Sequence, residues 1–197
     1  MRLLRYLRAV MGALPFLSFL CFLFLCLPPM HVAIVLTAIA LHELSHLLAF
    51  CLLGEPMPRF SLCPSGILLI PRRILSYGHD IAVTLAGPLG GGLCAFLLSC
   101  FLPCTMADVL TPYALSLSLL HLLPLTPLDG GRFLRALLCT VLPFSRGMRL
   151  SRAISHTATA ILLFFALYSL LYGGEGLPLL VFCLLLLYDK EKYGGLV

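Results

Sequence analysis

Apolar residues in this chain run in long unbroken blocks instead of recurring at the three-to-four spacing of a soluble amphipathic helix. Blocks of about 20 residues are long enough to cross a bilayer as helices. Six candidate spans follow, at roughly 9–27, 31–53, 80–103, 110–128, 155–172 and 176–188. The fourth is interrupted by Pro112, Pro124 and Pro127, which predicts a kinked or partly unwound segment. Broken helices at membrane depth are tolerated where protein buries them or where they line a wet cavity. Between the second and third spans, Phe60–Cys63 and Gly66–Ile70 are two short β-prone runs around Pro64 and Ser65. They read as a hairpin at or dipping into the membrane surface, or as an interfacial loop without strands.

Composition agrees with the blocks. Of 197 residues 61% are hydrophobic and 11% charged, with a mean hydropathy of +1.08, whereas a soluble domain is about 25% charged. The expectation is an all-α polytopic membrane protein forming one domain over 1–197, its core at about 31–142. The nine cysteines form no Cys-x-x-Cys pair and no zinc-finger spacing, so they read as small apolar residues.

Charge sets the orientation. With the N-terminus inside and six alternating spans, all 13 basic residues fall on the cytoplasmic side. They are Arg2, Arg5 and Arg8; Arg59, Arg72 and Arg73; Arg132, Arg135, Arg146, Arg149 and Arg152; and Lys190 and Lys192. This is a positive-inside pattern with both termini cytoplasmic. The first span has a basic head but ends in Leu27-Pro28-Pro29 without a small-x-small cleavage site, which predicts an uncleaved anchor.

Within the second block lies His42-Glu43-Leu44-Ser45-His46. Residues four apart share a helix face, so His42 and His46 can offer two imidazoles to one metal ion. Glu43, beside the first ligand, is then placed to take a proton from a bound water. Ionisable groups at bilayer depth cost on the order of a few kcal/mol each, which marks a functional site. A catalytic zinc site usually takes three protein ligands and leaves a position for water. Of the eight acidic residues most sit at span ends; Asp129, at the broken end of span four, lies at a depth compatible with His46. Asp129 is therefore the expected third ligand, its competing role being an N-cap for the following segment. Gly87-Pro88-x-x-Gly91 in span three permits close helix approach, and packing against span two is expected.

Together these segments resemble the site-2 proteases, zinc metalloproteases that cut substrates within or beside membranes. The resemblance rests on His42-Glu43-x-x-His46, Ala86-Gly87-Pro88-Leu89-Gly90-Gly91 and Pro124-Leu125-Thr126-Pro127-Leu128-Asp129-Gly130-Gly131, and covers roughly residues 10 to 142. It implies that His42, His46 and Asp129 bind one Zn²⁺ per chain and that Glu43 is the general base. The family usually has Asn eight positions before the ligand Asp, where this chain has His121. His121 can donate a hydrogen bond to substrate or transition state in its place, or be satisfied by a neighbouring backbone carbonyl. The six-span layout and short loops are most similar to the stage IV sporulation protein FB type, which matures a pro-sigma factor at the cytoplasmic face. The chain to Val197 carries neither the CBS domain of many such members nor the PDZ insertion of the envelope-stress branch.

The sequence thus predicts a three-helix zinc-bearing core in a bacterial cell membrane, hydrolysing peptide bonds of membrane or membrane-proximal protein substrates. The Phe60–Ile70 segment, with Phe60, Ile67 and Leu69, could hold an unwound substrate as an added strand. Expected partners are that substrate, the lipid bilayer and a membrane inhibitor protein; no nucleic-acid partner is expected. The rival reading is a zinc-binding scaffold or ion-handling protein, because intramembrane His and carboxylate also mark ion pathways.

Overall fold

A computed structural model describes residues 24, 27–63, 66–101, 105–173 and 176–193. The expected first span at 9–27 lies outside the described residues except for Phe24 and Leu27, as do the hairpin-turn residues Pro64 and Ser65.

Helix α1, Pro29–Leu52, starts with Pro29 in its first turn, where the proline φ is already helical and no hydrogen-bond donor is lost. It stops at Gly54, whose φ of +65° is the left-handed conformation that glycine adopts most easily. There Gly54 N donates to Cys51 O at 3.1 Å and Glu55 N to Phe50 O at 2.9 Å, the paired bonds of a Schellman cap. The chain turns sharply and enters an antiparallel hairpin, β1 (Arg59–Cys63) and β2 (Gly66–Ile70), with Phe60 opposite Leu69 and Ser61 opposite Leu68.

Helix α2, Tyr77–Phe101, returns along α1, and α3, Thr105–His121, packs against both. Between these three, Ile34, Ala38, Ala95, Leu110 and Ala114 form an apolar core, and its three alanines let the backbones approach closely. The helix ends at His121, and residues 122–128 form a non-helical turn with a cis Thr126–Pro127 peptide. Next come α4 (Asp129–Val141), α5 (Phe144–Gly173) and α6 (Leu177–Tyr193). A second core of Leu125, Leu128 and Leu186, with Ala158, Leu162 and Phe182 against it, binds the turn to α5 and α6.

The all-α architecture with one small hairpin is the one expected from the sequence. Among the described residues α1, α2 and α5 are long and apolar enough to cross a membrane. Leu44, Leu48, Phe96, Phe164 and Phe165 point outward from them, an apolar exterior suited to lipid. Arg146, Arg149 and Arg152 belong to α5, which is one continuous helix.

Candidate metal centre

His42 and His46 lie on the buried face of α1, each under 5% exposed. The Nδ1–H of His46 donates to the Val83 carbonyl of α2 at 2.7 Å. That bond fixes the tautomer and leaves a lone pair on His46 Nε2. This atom is 3.2 Å from His42 Nε2 and 3.2 Å from Asp129 Oδ2, and His42 Nε2 is 3.1 Å from the same oxygen. The three atoms form a nearly equilateral triangle.

The triangle is a test of fit for zinc. Donors held tetrahedrally at Zn–N and Zn–O lengths of about 2.0–2.2 Å stand roughly 3.3–3.5 Å apart. The observed edges need open by only a few tenths of an ångström. An imidazole lone pair and a carboxylate oxygen at this separation repel unless a cation or a shared proton lies between them. Two nitrogens and one carboxylate oxygen are also a donor set that zinc accepts. The residues fit the ion.

His121 joins the cluster. Its Nδ1–H donates to Asp129 Oδ2 at 2.8 Å, and its ring stands edge-on to His42 with centroids 4.3 Å apart. Its partner is thus the Asp129 carboxylate and not a backbone carbonyl. His42, His121 and Asp129 alone also bring three metal-binding atoms within 4.8 Å of one another. Three imidazoles therefore converge on one oxygen. Glu43, next in sequence to His42, has a buried Oε2 with no hydrogen-bond partner among the described residues.

Two stretches of glycine make this convergence possible. On α2, Gly87 lies directly over the His46 imidazole; a Cβ there would fall on the ring, 2.7 Å from Cδ2. A Cβ on Gly91 would stand 3.0 Å from His42 Cα, and one on Gly90 2.6 Å from Ser45 Oγ. Pro88 is buried beside them. At the start of α4, a Cβ on Gly130 would strike the Leu122 and Leu123 carbonyls, and one on Gly131 would lie 2.6 Å from the Leu125 carbonyl. The 122–128 turn therefore folds tightly over the helix start, with Leu128 in the N-cap position and Asp129 in the first turn. Ser155 of α5 braces that turn by accepting from Thr126 N at 3.0 Å.

The hairpin residues stand outside this cluster. Phe60 is 62% exposed, whereas its cross-strand partner Leu69 is buried and Ile67 is half-buried. Two polar groups that sequence reasoning did not single out hold this end of the molecule together. Arg132 is buried, pairs with Asp80 at 2.9 Å and reaches Leu69 O at 3.5 Å. Glu55 accepts from Arg73 Nε and His79 Nδ1, both at 2.6 Å, and those hydrogen bonds, Arg73 first, hold its carboxyl below the ordinary value. The available signal was opposite charges recurring at the ends of neighbouring apolar blocks.

No protein-family model matches the chain. It is 28% identical over 145 residues to a zinc metalloprotease of Methanocaldococcus jannaschii, a match covering 70% of this chain and 42% of that relative's length. Its structure is similar to that of a site-2 protease from Methanocaldococcus jannaschii, with a TM-score of 0.69 and 22% identity, over 92% of this chain and 87% of the other. This chain has the fold of a site-2 protease and is similar in sequence to a zinc metalloprotease.

Proposed function

We propose that this protein is a zinc-dependent endopeptidase that cuts membrane or membrane-proximal protein substrates, with His42, His46 and Asp129 holding one zinc ion. The observation that carries the reading is the 3.1–3.2 Å triangle of Nε2, Nε2 and Oδ2 with the unpartnered Glu43 carboxylate oxygen beside it in sequence. Zinc bound there would supply Lewis acidity, bringing a water's pKa to around neutrality and polarising a peptide carbonyl.

The remaining work falls to the chain. Glu43 Oε2 accepts the proton of the attacking water and returns it to the leaving amine, the role of a positioned carboxylate base. The Val83 carbonyl keeps His46 Nε2 unprotonated and aimed inward. His121 steadies the Asp129 carboxylate through its Nδ1–H, and its ring, about one-fifth exposed, is left accessible for a contact with substrate. A helical substrate hides its peptide bonds and has to unwind. The hairpin offers an edge for that extended segment, and because Arg132 occupies the Leu69 carbonyl of β2, β1 with its exposed Phe60 is the edge on offer. The narrower assignment, pro-sigma factor maturation by a sporulation-type enzyme held in check by a membrane inhibitor, rests on the layout of spans and short loops.

Glu43→Gln tests the reading against that of a metal-binding scaffold. The variant should keep its zinc, since Glu43 is not a ligand, and lose cleavage of a co-expressed membrane-proximal substrate by about 10²–10⁴-fold. Wild-type cleavage by a zinc-loaded Glu43→Gln protein would remove Glu43 from the mechanism.

A further inference from the structure

The end of β2, the residues leading into α2, the first turn of α2, α4 and the start of α5 border a half-open cavity of about 440 Å³, none of whose lining residues is a candidate zinc ligand. Ligand sites are typically roughly 300–1,000 Å³. Its lining includes the apolar Ile74, Phe144 and Met148 and the charged Arg72, Arg73, Arg132 and Arg135, with Asp80 as the acidic member. Arg73 is neutralised by Glu55 and Arg132 by Asp80. Arg135 reaches Asp80 only at 3.9 Å, and Arg72 has no ion-pair partner among the described residues. The cavity therefore holds about two uncompensated positive charges. Burial, with the Arg132 charge alongside, pushes Arg135 below the usual guanidinium range, a penalty that a bound anion would relieve. Arg132 is 6% exposed, and its Nε is buried without a hydrogen-bond partner.

Position identifies the anion. The cavity lies at the end of the long apolar helices, the same end that carries the exposed Arg59, Arg146, Arg149 and Arg152. Ile74 is fully exposed and Phe144 64% exposed beside the guanidinium groups. A fork of planar donors next to outward apolar side chains suits a phosphate that bears hydrocarbon. We infer that this cavity is a binding site for an anionic phospholipid, its phosphodiester held by Arg72 and Arg135 and its acyl chain lying along Ile74 and Phe144. Basic pockets between helices at a membrane surface are a recurrent form of headgroup recognition. The inference does not depend on the peptidase reading.

The test is lipid binding by the full chain in nanodiscs or detergent, read by native mass spectrometry and by the shift in melting temperature. Phosphatidylglycerol should bind at least about tenfold more tightly than phosphatidylcholine, and Arg72→Gln with Arg135→Gln should abolish that preference. Both side chains can be changed without breaking the buried Arg132–Asp80 pair, and a melting curve without lipid checks that the double variant folds. Arg149→Gln, exposed and outside the cavity, should alter binding by less than about twofold. Equal binding of the two lipids, or an equal loss in Arg149→Gln, would reduce the effect to general surface charge and overturn the site. Binding of glycerol 3-phosphate or inorganic phosphate as tight as that of phosphatidylglycerol would overturn the lipid assignment. Displacement of bound phosphatidylglycerol by a water-soluble acidic peptide would point to a protein ligand instead.

Discussion

Gly87→Ala is the sharpest probe of how the centre is built, because it adds a single methyl group and touches no candidate ligand chemically. That methyl would fall on the His46 ring, closest to Nε2 and Cε1 and 2.7 Å from Cδ2, where carbon atoms ordinarily pack about 3.5–4.0 Å apart, so the shortfall is at least about 1 Å. Two relaxations are open. The imidazole can swing aside, which breaks the 2.7 Å bond to the Val83 carbonyl and carries Nε2 out of the triangle. Alternatively α2 can back away from α1, which loosens contacts around Gly90 and Gly91 as well. Overpacking of this kind costs ~1–3 kcal/mol. The gain in helix propensity from glycine to alanine offsets at most ~1 kcal/mol of it. Because either movement displaces a ligand, zinc affinity should fall by about 10–100-fold, the usual effect of disturbing a ligand's support. The assay is chelator competition on detergent-purified protein, paired with a thermal melt. Gly78→Ala is the matched control on the same helix, with nothing within 4 Å of the added methyl, and should behave as wild type. If Gly87→Ala bound zinc with wild-type affinity and melted with the wild type, α2 could not lie on His46 as described.

Asp129→Ala should lose zinc on metal analysis, whereas His121→Asn should retain it with affinity reduced by no more than about 10–100-fold; undiminished zinc in Asp129→Ala would remove the carboxylate from the ligand set. Glu55 titrates below its ordinary value of about 4.5, so its stabilising contribution is complete above that value and is lost as pH falls through the lower, folded-state pKa. Wild type should therefore be more stable than Glu55→Gln at pH 7, with the gap closing as the pH falls through the lowered folded-state pKa; a gap independent of pH would show that the ion-pair cluster is not its cause. A cysteine placed at Arg72 in a background cleared of native cysteines should label only from the cytoplasmic side, and one in segment 105–111 only from outside; labelling of position 72 from outside would invert the topology.

The parts of this centre that could be read from the sequence are those fixed by local periodicity. His42 and His46 share a face because a helix repeats every 3.6 residues, and nothing distant alters that. Asp129 could be reached by depth alone, since two spans entering one membrane plane bring residues near their inner ends to similar levels. What could not be read is the direction of His121. Its contact with Asp129 depends on the path of the 122–128 turn, which is set by close packing of Gly130 and Gly131 against backbone carbonyls, and no pattern of polar and apolar positions encodes that path. Arg132 was legible only as one of 13 basic residues; its burial against Asp80 and the Leu69 carbonyl is a tertiary event. Glu55 was legible only as an acid at a span end; the Schellman turn at Gly54 is what delivers it to Arg73 and His79.

The triangle of donors also has a topological meaning. Its corners come from α1 and from the start of α4, and His46 and Asp129 are separated by 83 residues of chain. An ion held among them would be a cross-link, closing a loop that takes in the hairpin, α2 and α3. For a freely unfolding chain a bond closing a loop of that length removes ~4–5 kcal/mol of conformational entropy from the unfolded state. In a bilayer the inserted helices are already confined and the share is smaller, but its sign is the same. Zinc would then act as a fastener as well as a reagent, and chelation would loosen how α4 docks on the three-helix core even in a protein given nothing to cut.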